Sequence, residues 1–88
     1  MILSQSKAFV KDSKKLKMND KHFTKFIKYL ALVADGKPLP IEAKDHSLKG
    51  DWADFREFHI SGDLLVVYQI EENFIKLVRI GSHSQLFR

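Results

Sequence analysis

Two apolar runs separated by a short polar stretch dominate the last third of the chain. Leu64-Leu65-Val66-Val67-Tyr68-Gln69-Ile70 and Phe74-Ile75-Lys76-Leu77-Val78-Arg79-Ile80 are crowded with β-branched and aromatic residues, as packed strands require. Glu71-Glu72-Asn73 between them reads as a hairpin turn. A third run, Phe55-Arg56-Glu57-Phe58-His59-Ile60, enters the first through Ser61-Gly62, where glycine supplies the permissive backbone of a tight reversal. The pattern predicts a three-strand antiparallel meander. With a tight Ser61-Gly62 turn, Ile60 lies across from Asp63, His59 from Leu64, and Leu64 from the region of Ile80. His59, Asp63 and His83 then gather at one end of the sheet. A one-residue slip would change their faces but not that end.

The first half has helical spacing. Ser6 is the expected N-cap of a helix running to Lys17, with Phe9, Ser13 and Leu16 on one face. Asn19-Asp20 breaks it, and Asp20 can cap a second helix. There Phe23, Phe26, Ile27, Leu30, Val33 and Ala34 follow the i, i+3, i+4, i+7 pattern, while Lys21, Lys25 and Lys28 lie away from the stripe. Gly36 stops this helix, with Pro38 just beyond. Ile2 to Ser4 reads as a short opening strand at the sheet edge. The only apolar surface left to cover the helices is the sheet. The expected fold class is α+β: an N-terminal two-helix hairpin packed on a small, mainly antiparallel β-sheet, with residues 1–88 as a single domain. Pro38 to Trp52 is then a long connection, and it carries His46.

Charge divides the chain. Residues 1–49 hold eleven lysines against five acids, and residues 50–88 hold four basic residues against six acids. The basic half invites a polyanion, although lysines on solvated helix faces are also common. With no cysteine there is neither a disulfide framework nor a thiolate metal site. Met1-Ile2-Leu3 is too short for a signal sequence and no apolar run approaches a membrane span, so the expectation is a cytoplasmic protein.

No phosphate-cradling glycine loop, nucleophile elbow, zinc-finger spacing or HExxH occurs. What remains is an acid–base set: His46, His59, Asp63 and His83. His22, on the polar side of its helix, is read as a solvated residue. Histidine titrates near neutrality, so the set suits a reaction that needs a base, an acid and charge stabilisation without a cofactor. Ribonucleolytic cleavage is such a reaction. A base takes the 2′-OH proton, that oxygen attacks the adjacent phosphate, and an acid protonates the departing 5′ oxygen.

Four motifs occur in order: Lys44-Asp45-His46-x-Leu48-x-Gly50, Phe55-Arg56-x-x-His59, Asp63-Leu64-Leu65-Val66-Val67-Tyr68, and Arg79-x-Gly81-Ser82-His83-x-x-Leu86-Phe87. Together they resemble the YafQ family, within the RelE/ParE superfamily of bacterial toxin–antitoxin systems. The N-terminal half matches by pattern only. Two departures are Ser47, where relatives often carry proline, and Arg88 after the usual terminal phenylalanine.

The resemblance implies a ribosome-dependent mRNA endonuclease that halts translation. It also implies a cognate antitoxin, usually of ribbon-helix-helix type, in a complex that can bind operator DNA. It assigns the active site to His46, His59, Asp63, His83 and Phe87, with His83 as acid, His46 or Asp63 as base, and His59 orienting. Phe87 would stack on a base. Arg79 is a candidate phosphate contact. Arg56 either meets RNA or pairs with Glu57 or a neighbour, and Lys21, Lys25 and Lys28 would hold ribosomal RNA. No metal or cofactor is expected. Two rivals are a non-catalytic ParE-like toxin that binds a protein target, and a zinc site built from the three histidines and Asp63.

Overall fold

The computed structural model describes residues 1–87. Strand β1 (Ile2–Gln5) is followed by helices α1 (Lys7–Lys15) and α2 (Asp20–Ala34). Next come the two-residue strand β2 (His46–Ser47), strands β3 (Arg56–Ser61), β4 (Leu64–Ile70) and β5 (Phe74–Gly81), and a short helix α3 (His83–Leu86). The five strands form one mixed sheet in the order β1-β5-β4-β3-β2; β1 runs parallel to β5 and the other neighbours are antiparallel.

The helices begin and end where local chemistry satisfies their free backbone groups. Ser6 Oγ accepts from Phe9 N at 3.0 Å, and the same hydroxyl donates to the Val78 carbonyl at 2.8 Å, fastening α1 to β5. This helix ends at Lys15, short of the expected Lys17, where Leu16 turns to extended backbone. Asn19, not Asp20, caps α2, its Oδ1 accepting from His22 N at 2.8 Å. After α2, Gly36 takes φ 70° while its N–H and that of Lys37 bond back to the Val33 and Leu32 carbonyls. This left-handed closure suits glycine.

The apolar stripe of α2 is rotated from the one expected. Tyr29, Leu30 and Val33 are buried and Phe26 half-buried, whereas Phe23 is 51% and Ile27 49% exposed. Tyr29 sets the rotation by meeting Phe58 of β3 edge-on, ring centroids 5.8 Å apart. One turn earlier on the same face, Phe26 stacks with Phe9 of α1.

Alternation along the strands separates two cores. Phe58, Ile60, Val66, Tyr68, Ile75, Leu77 and Ile80 pack under the helices. Leu65 and Val67 face the other way, with Leu86 and the half-buried Leu48, Trp52, Phe55, Val78 and Phe87. Two registers differ from those expected. The β3–β4 turn is Gly62-Asp63, so Ser61 faces Leu64, and a bulge at Ile60 brings His59 opposite Leu65. Across β4–β5, Ile80 faces Val66 rather than Leu64. The end at which the chain gathers is unchanged. The connection from Pro38 is also less irregular than expected, since it contains two 3-10 turns, Ile41–Ala43 and Gly50–Trp52, flanking β2.

Candidate active site

Glu57 and His59 lie two residues apart on β3, so both project from the sheet face opposite the helices. The pairing of β2 with β3 sets His46 directly opposite Glu57. His46 Nε2 is 3.0 Å from Glu57 Oε1, and His59 Nε2 is 3.9 Å from the same oxygen. The two imidazoles lie side by side, ring centroids 6.4 Å apart. Only 3% of Glu57 is exposed, and its other oxygen, Oε2, has no hydrogen-bond partner. A carboxylate is thus buried behind two histidines, touching one nitrogen of each. On its far side the His46 ring meets the Lys44 carbonyl through Nδ1 at 2.6 Å.

The other wall comes from the end of β5. Ser82 caps α3 reciprocally with Gln85: its hydroxyl accepts from Gln85 N, and its own N–H donates to Gln85 Oε1. The helix follows Gly81 so closely that a Cβ there would lie 2.8 Å from Gln85 Oε1. Asp63 Oδ1 accepts from His83 N at 3.1 Å, tying the β3–β4 turn to the start of α3. Leu86 anchors the helix in the second core. His83 and Phe87 are consequently presented together, ring centroids 5.2 Å apart, and Phe87 rests edge-on against Trp52 at 5.3 Å.

Both walls border one cavity of about 130 Å³, lined by Leu48, Lys49, Trp52, Glu57, His83 and Phe87. It places an aromatic floor, a cation, a histidine and the buried carboxylate around one space. The two halves of the candidate site therefore meet through Glu57, which touches His46 and His59 and shares the cavity with His83 and Phe87.

The model of the family described as "Bacterial toxin of type II toxin-antitoxin system, YafQ" matches residues 1–88. The chain belongs to the YafQ family. It is 32% identical over 87 residues to the mRNA interferase toxin YafQ of Escherichia coli strain K12, covering 97% of this chain and 94% of that protein. A crystal structure of a metal-bound toxin from Helicobacter pylori is 46% identical and superposes with a TM-score of 0.87 over 98% of both chains. YafQ in the E. coli DinJ-YafQ toxin–antitoxin complex is 29% identical with a TM-score of 0.83, covering 98% of this chain and 96% of that one.

Within this YafQ-family chain the residues singled out by sequence fall into three groups. His46, His59, His83 and Phe87 surround the cavity or the carboxylate beside it, and Asp63 reaches them through the backbone of His83. Arg79 is turned elsewhere. Its Nε and Nη2 donate to Asp12 at 2.7 and 3.1 Å, and it lines a separate cavity with Asp12, Lys15 and Gln85. Arg56 pairs with Asp45, not with Glu57. Lys21, Lys25 and Lys28 are exposed on α2, in the layer on the other side of the sheet.

Glu57 was missed by sequence reasoning, as was the part played by Trp52. An acid in an otherwise apolar alternation, two residues before a histidine, was the available signal for Glu57. The donor set of His46, Glu57 and His59 has the right chemistry for a metal ion. As arranged, however, His46 and Glu57 are within hydrogen-bond distance of each other. Among the described residues no group of three or more His, Cys, Asp or Glu is spaced to hold an ion. No helix among them is long and apolar enough to cross a membrane.

Proposed function

We propose that this toxin is an mRNA interferase that cuts translated message on the ribosome, by metal-independent acid–base transfer at the 2′-OH. The whole of residues 1–88 would act as one domain in the cytoplasm. The observation that supports this reading best is the cavity shared by Glu57, His83 and Phe87, with His46 and His59 held against the same carboxylate. Proton donors and acceptors stand on two sides of a space open to a nucleotide, and an aromatic pair offers a stacking surface. His83 is the acid that protonates the departing 5′ oxygen. His46 or Asp63 is the base, and His59, steadied by Glu57, orients and stabilises. Phe87, braced by Trp52, stacks on a base. Arg79 remains a candidate RNA contact once Asp12 is exchanged for phosphate, and Arg56 remains one while it keeps Asp45 and Ser47. Lys21, Lys25 and Lys28 grip ribosomal RNA.

The partner that holds the toxin inactive is a cognate antitoxin of ribbon-helix-helix type, in a complex that binds operator DNA. The E. coli relative in its complex with DinJ supports an antitoxin partner.

Expression of the toxin alone stops growth and cuts translated messages, mapped by primer extension with and without translation. His83→Ala abolishes cutting and His22→Ala does not. A His83→Ala protein that cuts normally at equal expression removes the acid role.

A further inference from the structure

His46 enters the site on a strand only two residues long, at the edge of the sheet and half exposed. Two backbone pairings with β3 are a slight tether for a reactive ring. The residue just before this segment's Asp45 is strained as well. Lys44 adopts φ 50°, the only left-handed non-glycine among the described residues. A bond from Leu48 N–H to the Phe55 carbonyl continues the pairing, and the His46 ring itself meets the Lys44 carbonyl and Glu57. The side chains flanking His46 supply the rest of the hold.

The neighbours of His46 on both sides are held by one side chain. Arg56 donates through Nη1 to Ser47 Oγ at 3.0 Å, and its Nη2 lies 3.3 Å from Asp45 Oδ2. Tyr68, opposite Arg56 in the β3–β4 ladder, donates to Asp45 Oδ1 at 2.6 Å and accepts from Arg56 Nε at 3.3 Å. Tyr68 is 2% exposed, anchored in the core under the helices, and its ring packs against Phe58. Strand alternation does the rest. With Asp45 and Ser47 drawn toward Arg56, the residue between them points to the opposite face, where Glu57 waits.

We propose that Tyr68, Asp45 and Arg56 are positioning residues that hold His46 in the site from the far side of the sheet. Their charges support the arrangement. The hydrogen bond to Tyr68 and the Asp45 carboxylate outweigh burial and raise the Arg56 guanidinium's affinity for its proton. Burial, and then the bond to Asp45, keep the Tyr68 hydroxyl protonated and able to donate. The inference rests on the reading of His46 as part of the active site. It gives Arg56 a task that needs no contact with RNA.

The test is cleavage on purified ribosomes by Asp45→Asn and Tyr68→Phe, each alone and combined with His46→Ala. Imidazole NMR signals of His46 are recorded on the same proteins. Asp45→Asn lowers the rate at saturating ribosomes by about ten- to a hundredfold, the scale of an ångström-sized misplacement, and leaves half-saturation unchanged. Tyr68→Phe, which keeps the ring in the core, has a smaller effect in the same direction. Both variants shift the His46 ring toward the signals of a mobile histidine. Combined with His46→Ala, neither slows cleavage further.

An equal slowing in the His46→Ala background overturns the proposal, because the cluster then acts elsewhere. So does a rise in half-saturation at unchanged rate, the mark of an RNA contact. Should Asp45→Asn fail to fold, Tyr68→Phe decides, and unchanged His46 signals and rate in that variant overturn the proposal. If His46→Ala cuts like wild type, the reading of the active site has failed. The His46 ring signals still report whether the clamp exists.

Discussion

Replacing Glu57 by leucine should make the protein more stable and much less active. The carboxylate is 4% exposed at its side chain; its Oε1 lies 3.0 Å from His46 Nε2, while Oε2 is buried without a partner. A buried polar oxygen left unpaired costs about 1–3 kcal/mol, which the leucine relieves. The lost contact with His46 is worth about 0–1 kcal/mol, because the half-exposed ring regains water. Leucine also packs on the same face as Val67, its partner across the β3–β4 ladder. The net effect is a gain on the order of 1 kcal/mol, a rise in Tm of about 4–8 °C for a domain of this size. Cleavage should fall by about 10²-fold or more, the range expected when one acid–base group is lost or mis-set. Thermal unfolding followed by circular dichroism reads the first effect, and cleavage at saturating ribosomes reads the second. A Glu57→Leu protein that is less stable and cuts at the wild-type rate would refute the reasoning, since Glu57 would then be a structural acid.

Three further outcomes follow from the charges. Burial disfavours the Asp12 carboxylate, but hydrogen bonds from Arg79 and Ile80 N and the nearby Arg79 and Lys15 charges outweigh it, so its pKa lies below the ordinary value. That stabilisation is complete above about pH 4, where the unfolded carboxylate titrates, and is lost as pH falls through the lower folded value. Asp12→Asn should therefore destabilise by about 2 kcal/mol at pH 7, a figure reduced for the solvent reaching Arg79. The gap from wild type, read by urea unfolding, should close in acid; a gap constant with pH would contradict the pairing. Toxin stripped with EDTA should cut as before on magnesium-containing ribosomes, whereas loss on stripping and recovery with zinc would establish a metal requirement. Replacing Lys21, Lys25 and Lys28 together by glutamine should weaken ribosome binding and flatten its salt dependence, with the rate at saturation unchanged, because released counterions and not the chemical step depend on them. Normal binding with slow cleavage at saturation would place the active site on the wrong side of the sheet.

Local sequence carries a good deal of this protein. The runs at Leu64–Ile70 and Phe74–Gly81 form strands because their side chains favour a pleated, packed surface, and the turn at Glu71-Glu72-Asn73 joins them. Ser6, Gly36 and the periodic residues of α2 mark helix limits through bonds made within a few residues. The gathering of His59, Asp63 and His83 at one end also follows from a meander, whichever register it adopts.

Decisions that compare distant groups are different. The spacing of apolar residues on α2 admits several rotations, and the one adopted was chosen by Tyr29 against Phe58. The bulge at Ile60 cannot be read from alternation alone. Arg79 and Arg56 are both arginines on strands, and nothing local to either names Asp12 or Asp45 as its partner. The pairing of a two-residue strand brought His46 to Glu57, across a connection whose own sequence has no strand pattern. An acid next to a histidine in sequence would point to the opposite face. Only the sheet, by setting Glu57, His59 and His46 on one face with the helices on the other, made a buried carboxylate the centre of the site.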